Sequence, residues 1–263
     1  MDTIFGYAGA FIIGLILGLM GGGGSILTVP LLVYALAIPP VTATAYSLFI
    51  VGTTSGFGAI QNYYKDNVAI KTGLMIAVPS FITVYLTRRY IVPALPEILT
   101  YDGGEPIHRD PFIMVLFALI MTGASISLIF KKKDKSAPNK KLNYGYVLPL
   151  VMLTGILMGL VGSGGGFMFI PMLVFFGGLP MKKAVGTSLL IIALNSLTGF
   201  LGDLQNISID WFFLLSFSLV SVFGIFAGSY LHRYINESQL KRGFGWFILC
   251  MAAFILAKEF IGF

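Results

Sequence analysis

The sequence predicts an all-α polytopic membrane protein made of two inverted repeats. Each repeat has five helical segments and opens on a glycine-rich broken-helix hairpin. Composition is the first observation behind this. Of 263 residues, 57% are hydrophobic and 11% are charged, against about 25% charged in an ordinary soluble domain. Mean hydropathy is +0.89. So few charges cannot cover a soluble surface, which excludes a soluble enzyme, a nucleic-acid-binding domain and a disordered chain. The second observation is a series of ten apolar segments, and the third an internal repeat at an offset of 141 residues.

The segments are 4–20, 25–38, 40–62, 70–92, 111–130, 145–161, 166–179, 181–202, 209–232 and 240–261. Eight are near or above spanning length; about 20 apolar residues cross the hydrocarbon. Segments 25–38 and 166–179 are shorter. At about 14 residues, or roughly 21 Å of helix, neither crosses upright. Each follows a glycine cluster. The start, Met1-Asp2-Thr3, lacks the basic region of a signal peptide, so the first segment is expected to be retained. The single cysteine, Cys250, lies in an apolar run and has no intramolecular partner. The longest hydrophilic stretch, KKKDKSAPNKKLN at 131–143, divides an N-terminal membrane repeat (1–130) from a C-terminal one (144–263).

GLILGLMGGGGSILTVPLLV starts at Gly14 and GILMGLVGSGGGFMFIPMLV at Gly155. The offset superposes Gly14, Gly18, Gly21, Gly23, Gly24 and Pro30 on Gly155, Gly159, Gly162, Gly164, Gly165 and Pro171. It continues through Pro39, Ala43, Ser47 and Leu48 onto Pro180, Ala184, Ser188 and Leu189. Apolar segments resemble each other by chance, but matched glycines and prolines at one offset mark a repeat.

An odd number of segments per half inserts the second half upside down relative to the first. Charge tests this. With the 131–143 linker cytoplasmic, and each short segment returning to the side its predecessor left, thirteen Lys/Arg fall inside. Four fall outside: Arg88, Arg89, Arg109 and Lys258. Reading each glycine pair as one long helix would move Lys182, Lys183, Arg233, Lys241 and Arg242 outside, against the positive-inside rule. Both termini and the 93–110 loop are therefore expected on the external face. The net charge of +6 is read as this topology signal rather than as a nucleic-acid surface.

Residues 21–25, Gly-Gly-Gly-Gly-Ser, and 162–166, Gly-Ser-Gly-Gly-Gly, are too glycine-rich for a helix interior, at about 1 kcal/mol per glycine relative to alanine. Broken backbone at membrane depth survives only against protein or a water-filled cavity. Each cluster is therefore read as a break, with one helix entering and a short helix leaving. The free N–H groups and dipole at the start of the second helix suit an anion. The candidate binding groups are Gly22, Gly23, Gly24, Ser25, Ser163, Gly164, Gly165 and Gly166, with the two breaks expected to meet near the midplane. Gly14, Gly18, Gly155 and Gly159 are read as helix-packing residues of the GxxxG kind.

The segment after each short helix is rich in hydroxyls and amides. Ser47, its repeat mate Ser188, and Asn195 are the candidate side-chain donors; a mid-span amide needs a partner, so Asn195 should face protein or cavity. No Asp, Glu, Lys or Arg lies near mid-span. An anion would then be held by neutral donors and helix ends, with cations only at the mouths. No catalytic motif, metal cluster or cofactor signature is present in the sequence, so no enzyme activity, metal or cofactor is expected.

At GLMGGGGSILTVPLLV (18–33), GLVGSGGGFMFIPMLV (159–174), TATAYSLF (42–49) and KAVGTSLL (183–190), the sequence resembles the TauE/SafE family of sulfite-exporter-type membrane proteins. The resemblance runs through essentially the whole chain. It implies a transporter of small sulfur-containing anions, such as sulfite, thiosulfate or organosulfonates, in the cell (inner) membrane. The family signatures fall on 21–25 and 162–166, with Ser163 standing where the first repeat has Gly22. The expected mechanism is alternating access around the paired hairpins, in a monomer or homodimer. A passive anion channel and a non-transporting anchoring subunit are the alternatives.

Overall fold

The computed structural model describes residues 2–98, 108–130, 144–163, 165–175, 177–231, 234 and 237–261. The main helices are α1 (Asp2–Met20), α2 (Pro40–Tyr63), α3 (Ile70–Leu86), α4 (Arg109–Phe130), α5 (Tyr144–Val161), α6 (Gly166–Phe175), α7 (Met181–Asp203), α8 (Trp211–Leu231) and α9 (Glu237–Ile261). Among the described residues, the only β-type pairing is the isolated bridge of Ile98 with His108. Seven stretches among these residues are long and apolar enough to cross a membrane, from Gly6–Ala35 to Gly243–Phe260. Their outward faces carry large apolar side chains, among them Phe212, Leu215, Leu219 and Phe223 along α8. This multi-pass, all-helical membrane architecture is the one the apolar segments predict.

The stretch Gly6–Ala35 is not one rod. Helix α1 stops at Met20, and Gly21 takes φ +65°, a left-handed conformation that glycine adopts freely. The chain then doubles back. A Cβ on Gly24 would meet Leu17 N, one on Gly9 the Leu31 side chain, and one on Gly6 the Leu36 side chain. These contacts run antiparallel, so the return arm climbs the full length of α1. The arm differs from the expected short α-helix. It is a 3-10 turn over Gly21–Leu27, held by Ser25 Oγ donating to Gly22 O at 2.8 Å, then a π turn over Leu31–Ala35. Four glycines allow the tighter 3-10 turn, and Pro30, which has no N–H, stands where the register widens to the π turn.

The second repeat has the same outline. Helix α5 ends at Val161, Gly162 takes φ +70°, and α6 returns from Gly166.

Close crossings organise the helices. Helices α1 and α8 run parallel and touch backbone to backbone: a Cβ on Gly14 would overlap Ser221 O, one on Gly18 the Ile225 O, one on Gly224 the Phe11 O, and one on Gly228 the Leu15 O. Helix α5 lies likewise on α3, with Gly155 against Ser80 and Thr83, and Gly159 against Thr87. The four glycines read as packing residues hold these two crossings. Helix α4 packs on α9.

Helices α2 and α7 cross antiparallel at the centre. Gly52 meets Leu197 and Gly56 meets Ala193; Gly58 meets Leu189 and Gly199 meets Leu48. Within each pair, one contact becomes the other when 141 is added to one residue and taken from its partner. The loop hydrogen bonds behave the same way. Tyr46 Oη accepts from Asp210 N at 2.8 Å, and Thr187 Oγ1 accepts from Ala69 N at 2.9 Å.

Candidate functional site

The two breaks dock on the central pair of helices. A Cβ on Gly21 would lie 2.6 Å from Val185 Cγ1, and one on Gly162 would lie 2.5 Å from Thr44 Cβ. Val185 and Thr44 both lie near the first turn of their helices, α7 and α2. Because those helices cross antiparallel, their first turns lie at opposite ends of the crossing, on the order of 25 Å apart at 1.5 Å per residue. The expected meeting of the breaks at the midplane is therefore wrong. Each incoming helix is long enough to traverse the bundle before it breaks. What meets between the breaks is the two return arms, where Gly21–Leu27 packs against α6.

The second break holds a charge that sequence reasoning missed. Arg88, read from the sequence as one of four cations on the external side, has 0% of its surface exposed. It lies in a π turn, Thr87–Ile91, that continues α3. Gly202 of α7 sits against its Cβ, so the side chain is walled in. Arg88 Nη1 donates to Thr44 Oγ1 at 3.1 Å and lies 3.3 Å from Asp203 Oδ2. Asp203 is itself 3% exposed. Arg88 Nε and Nη2 have no hydrogen-bond partner, and a Cβ on Gly162 would lie 2.6 Å from Nη2. Arg88 thus stands at an end of the central crossing, where the cations were expected, but it is buried against the break rather than open to water. The signals that could have found Arg88 are the Arg-Arg doublet inside the end of an apolar segment and the matching acid at the end of α7. Only the packing of α2, α3, α5 and α7 brings them together.

The other candidate residues sort by what they touch. In the first break, Gly22 is buried and its carbonyl takes the Ser25 proton. Gly24 packs on the backbone of α1, and Gly23 faces the Phe244 ring. In the second, Ser163 Oγ donates to Met158 Sδ at 3.1 Å. Gly165 takes φ +75° and lies over Met158 and Phe169, and Gly166 starts α6. Gly164 lies outside the described residues, as does the 131–143 linker.

Asn195 is 1% exposed, as a mid-span amide requires. Its Nδ2 donates to Ser80 Oγ at 2.7 Å, and its Oδ1 is unpartnered. Ser188 donates to Val185 O at 2.8 Å. Ser47 is fully buried with its hydroxyl unpartnered, and so are Thr54, Ser55 and Ser196 along the same crossing. Buried hydroxyls without partners cost on the order of 1–3 kcal/mol each. Together they make the α2–α7 crossing the polar seam of an otherwise apolar bundle.

Two buried helix breaks, a polar seam between them and an apolar outer coat define a multi-pass membrane protein of the broken-helix transporter class. The chain belongs to the sulfite exporter TauE/SafE family, which matches residues 7–255. It is 27% identical to a "Probable membrane transporter protein" of Xylella fastidiosa (strain 9a5c), covering 94% of this chain and 92% of that one. It is 27% identical to "Probable membrane transporter protein YdhB" of Bacillus subtilis (strain 168), covering 88% and 91%. Over a shorter stretch, 46% of this chain and 50% of the relative, it is 32% identical to "Probable membrane transporter protein MJ0441" of Methanocaldococcus jannaschii. No solved structure matches the chain.

Proposed function

We propose that this protein carries small sulfur oxyanions, sulfite first, or organosulfonates, out across the inner membrane by alternating access around its two glycine hairpins. Membership of the sulfite exporter family supports the cargo class. The observation that carries the mechanism is the pair of left-handed glycines, Gly21 and Gly162, each closing a hairpin on the central helix of the other half. The exchangeable contacts across α2 and α7 support two inverted repeats, with both termini external and the linker cytoplasmic. In such a design each half rocks against the other, opening one break and then the other to its side. The anion passes along the arms and the unpartnered hydroxyls of the crossing. The helix dipole at the start of α6 favours negative charge.

Sulfite flux into proteoliposomes tests this, with sulfate, thiosulfate and sulfoacetate as competitors. Saturable flux with counterflow is expected. Flux that rises linearly with concentration and shows no counterflow would make the protein a channel, and no flux of any of these anions would end the cargo reading.

A further inference from the structure

We propose that Arg88 grips the transported anion at the second break through its free edge, and that Asp203 is the counter-charge that holds the guanidinium from the other edge. This rests on the transport reading above. The unpartnered atoms specify the ligand. Nε and Nη2 lie on one edge of the guanidinium and form a planar fork of two parallel donors, while Nη1 alone serves Thr44 and Asp203. Such a fork matches two oxygens of a single anion. Sulfite, sulfonate, carboxylate and phosphate groups present that pair of oxygens; a halide does not. The fork is out of water, so leaving it empty is costly. Its Nη2 lies beside Gly162, where an added Cβ would stand 2.6 Å from it.

Asp203 makes the resting state tolerable, because a lone buried cation is far more costly than a pair. Its hold is light. One carboxylate oxygen lies 3.3 Å from one nitrogen and makes no hydrogen bond. An incoming oxyanion takes the two free donors on the other edge, and Asp203 competes with it only through its charge. Among the described residues the first break shows no such pair. The repeat mate of Thr44 is Val185, and the mate of Asp203 is Asn62. The oxyanion site proposed here therefore lies at the end where α2 begins.

The test is calorimetric titration of the purified full-length protein in detergent with sulfite, phosphate, acetate and chloride, run beside sulfite flux in proteoliposomes. Arg88→Lys keeps the charge and removes the fork; oxyanion affinity should fall about tenfold or more. Asp203→Asn removes the competitor; affinity should rise about tenfold. The double variant Arg88→Gln/Asp203→Asn leaves no unpaired ion, so it should elute as folded protein and bind none of the four anions.

Unchanged affinity in Arg88→Lys overturns the proposal. So does weakened binding in Asp203→Asn, which is the mark of a purely structural pair. So does a wild type that binds no oxyanion. If phosphate or acetate binds with these shifts but sulfite neither binds nor moves, Arg88 stands and the sulfur cargo falls. If the wild type moves sulfite and the double variant does so with unchanged KM, the cargo stands and Arg88 falls.

Discussion

Within one glycine cluster the residues are not equivalent. Gly162 holds φ +70°, and an added Cβ would press on Thr44 and Arg88 at 2.5–2.6 Å. Left-handed backbone alone costs an ordinary residue about 1–2 kcal/mol. Gly162→Ala should therefore lower the thermal midpoint of the detergent-solubilised protein and depress flux together. Gly23 also lies in a glycine run, but its nearest neighbour is the Phe244 ring at 3.5 Å, an ordinary contact. Gly23→Ala should stay within about 1 kcal/mol of wild type, and a collapse of that variant would contradict the packing described for the first break. The sequence marked both clusters as breaks because glycine density is a local signal. It could not rank the glycines, because the ranking depends on Thr44, Phe244 and Arg88, which are distant in the chain.

Among the elements, α1 and α8 show how small residues replace the hydrophobic effect inside lipid. Lipid tails are as apolar as leucine, so helices associate by close packing instead. Gly14 and Gly18 on one side, with Gly224 and Gly228 on the other, bring the backbones together, and Ser221 Oγ donates across the seam to Ala10 O at 3.0 Å. A valine at Gly18 has nowhere to go and should cost at least about 1–3 kcal/mol. Fluorescence-detected size exclusion after heating reads this directly. Gly123→Val on α4, where nothing lies within 4 Å of the added carbon, is the control that should remain unchanged. Equal losses in both variants would mean that the α1–α8 contact is not what glycine serves.

Element boundaries were legible in the sequence: α2, α3 and α7 begin at Pro40, Ile70 and Met181, where the apolar segments were read to begin. The 3-10 and π character of the first arm was not, because it follows from how that arm must pack against α1 and α6.

For the whole molecule, topology is the testable property. Gly186 near the start of α7 packs on Asn62 in the last turn of α2 and on Asn67 just beyond it, so Lys65 and Lys183 lie at the same end of the bundle. In a Cys250→Ser background, Lys65→Cys, Lys135→Cys and Lys183→Cys should all resist an impermeant thiol reagent in whole cells and react in inverted vesicles. Labelling of Lys65→Cys and Lys183→Cys from opposite sides would contradict the fold itself. Labelling of all three from outside would keep the fold and reverse its orientation.

By itself the sequence determined the membrane class, the positions of the helices, the two breaks and the 141-residue repeat. Hydropathy, glycine and proline act on their own stretch of chain, so a reader of the chain sees them. Tertiary structure alone decided three things: that the breaks stand at opposite ends of the central crossing, that Asn195 Nδ2 finds Ser80 Oγ, and that Arg88 and Asp203 are buried together. Each depends on groups from different helices meeting in a medium with no water to satisfy them. In such a medium a polar atom takes its meaning from its neighbours rather than from its place in the chain.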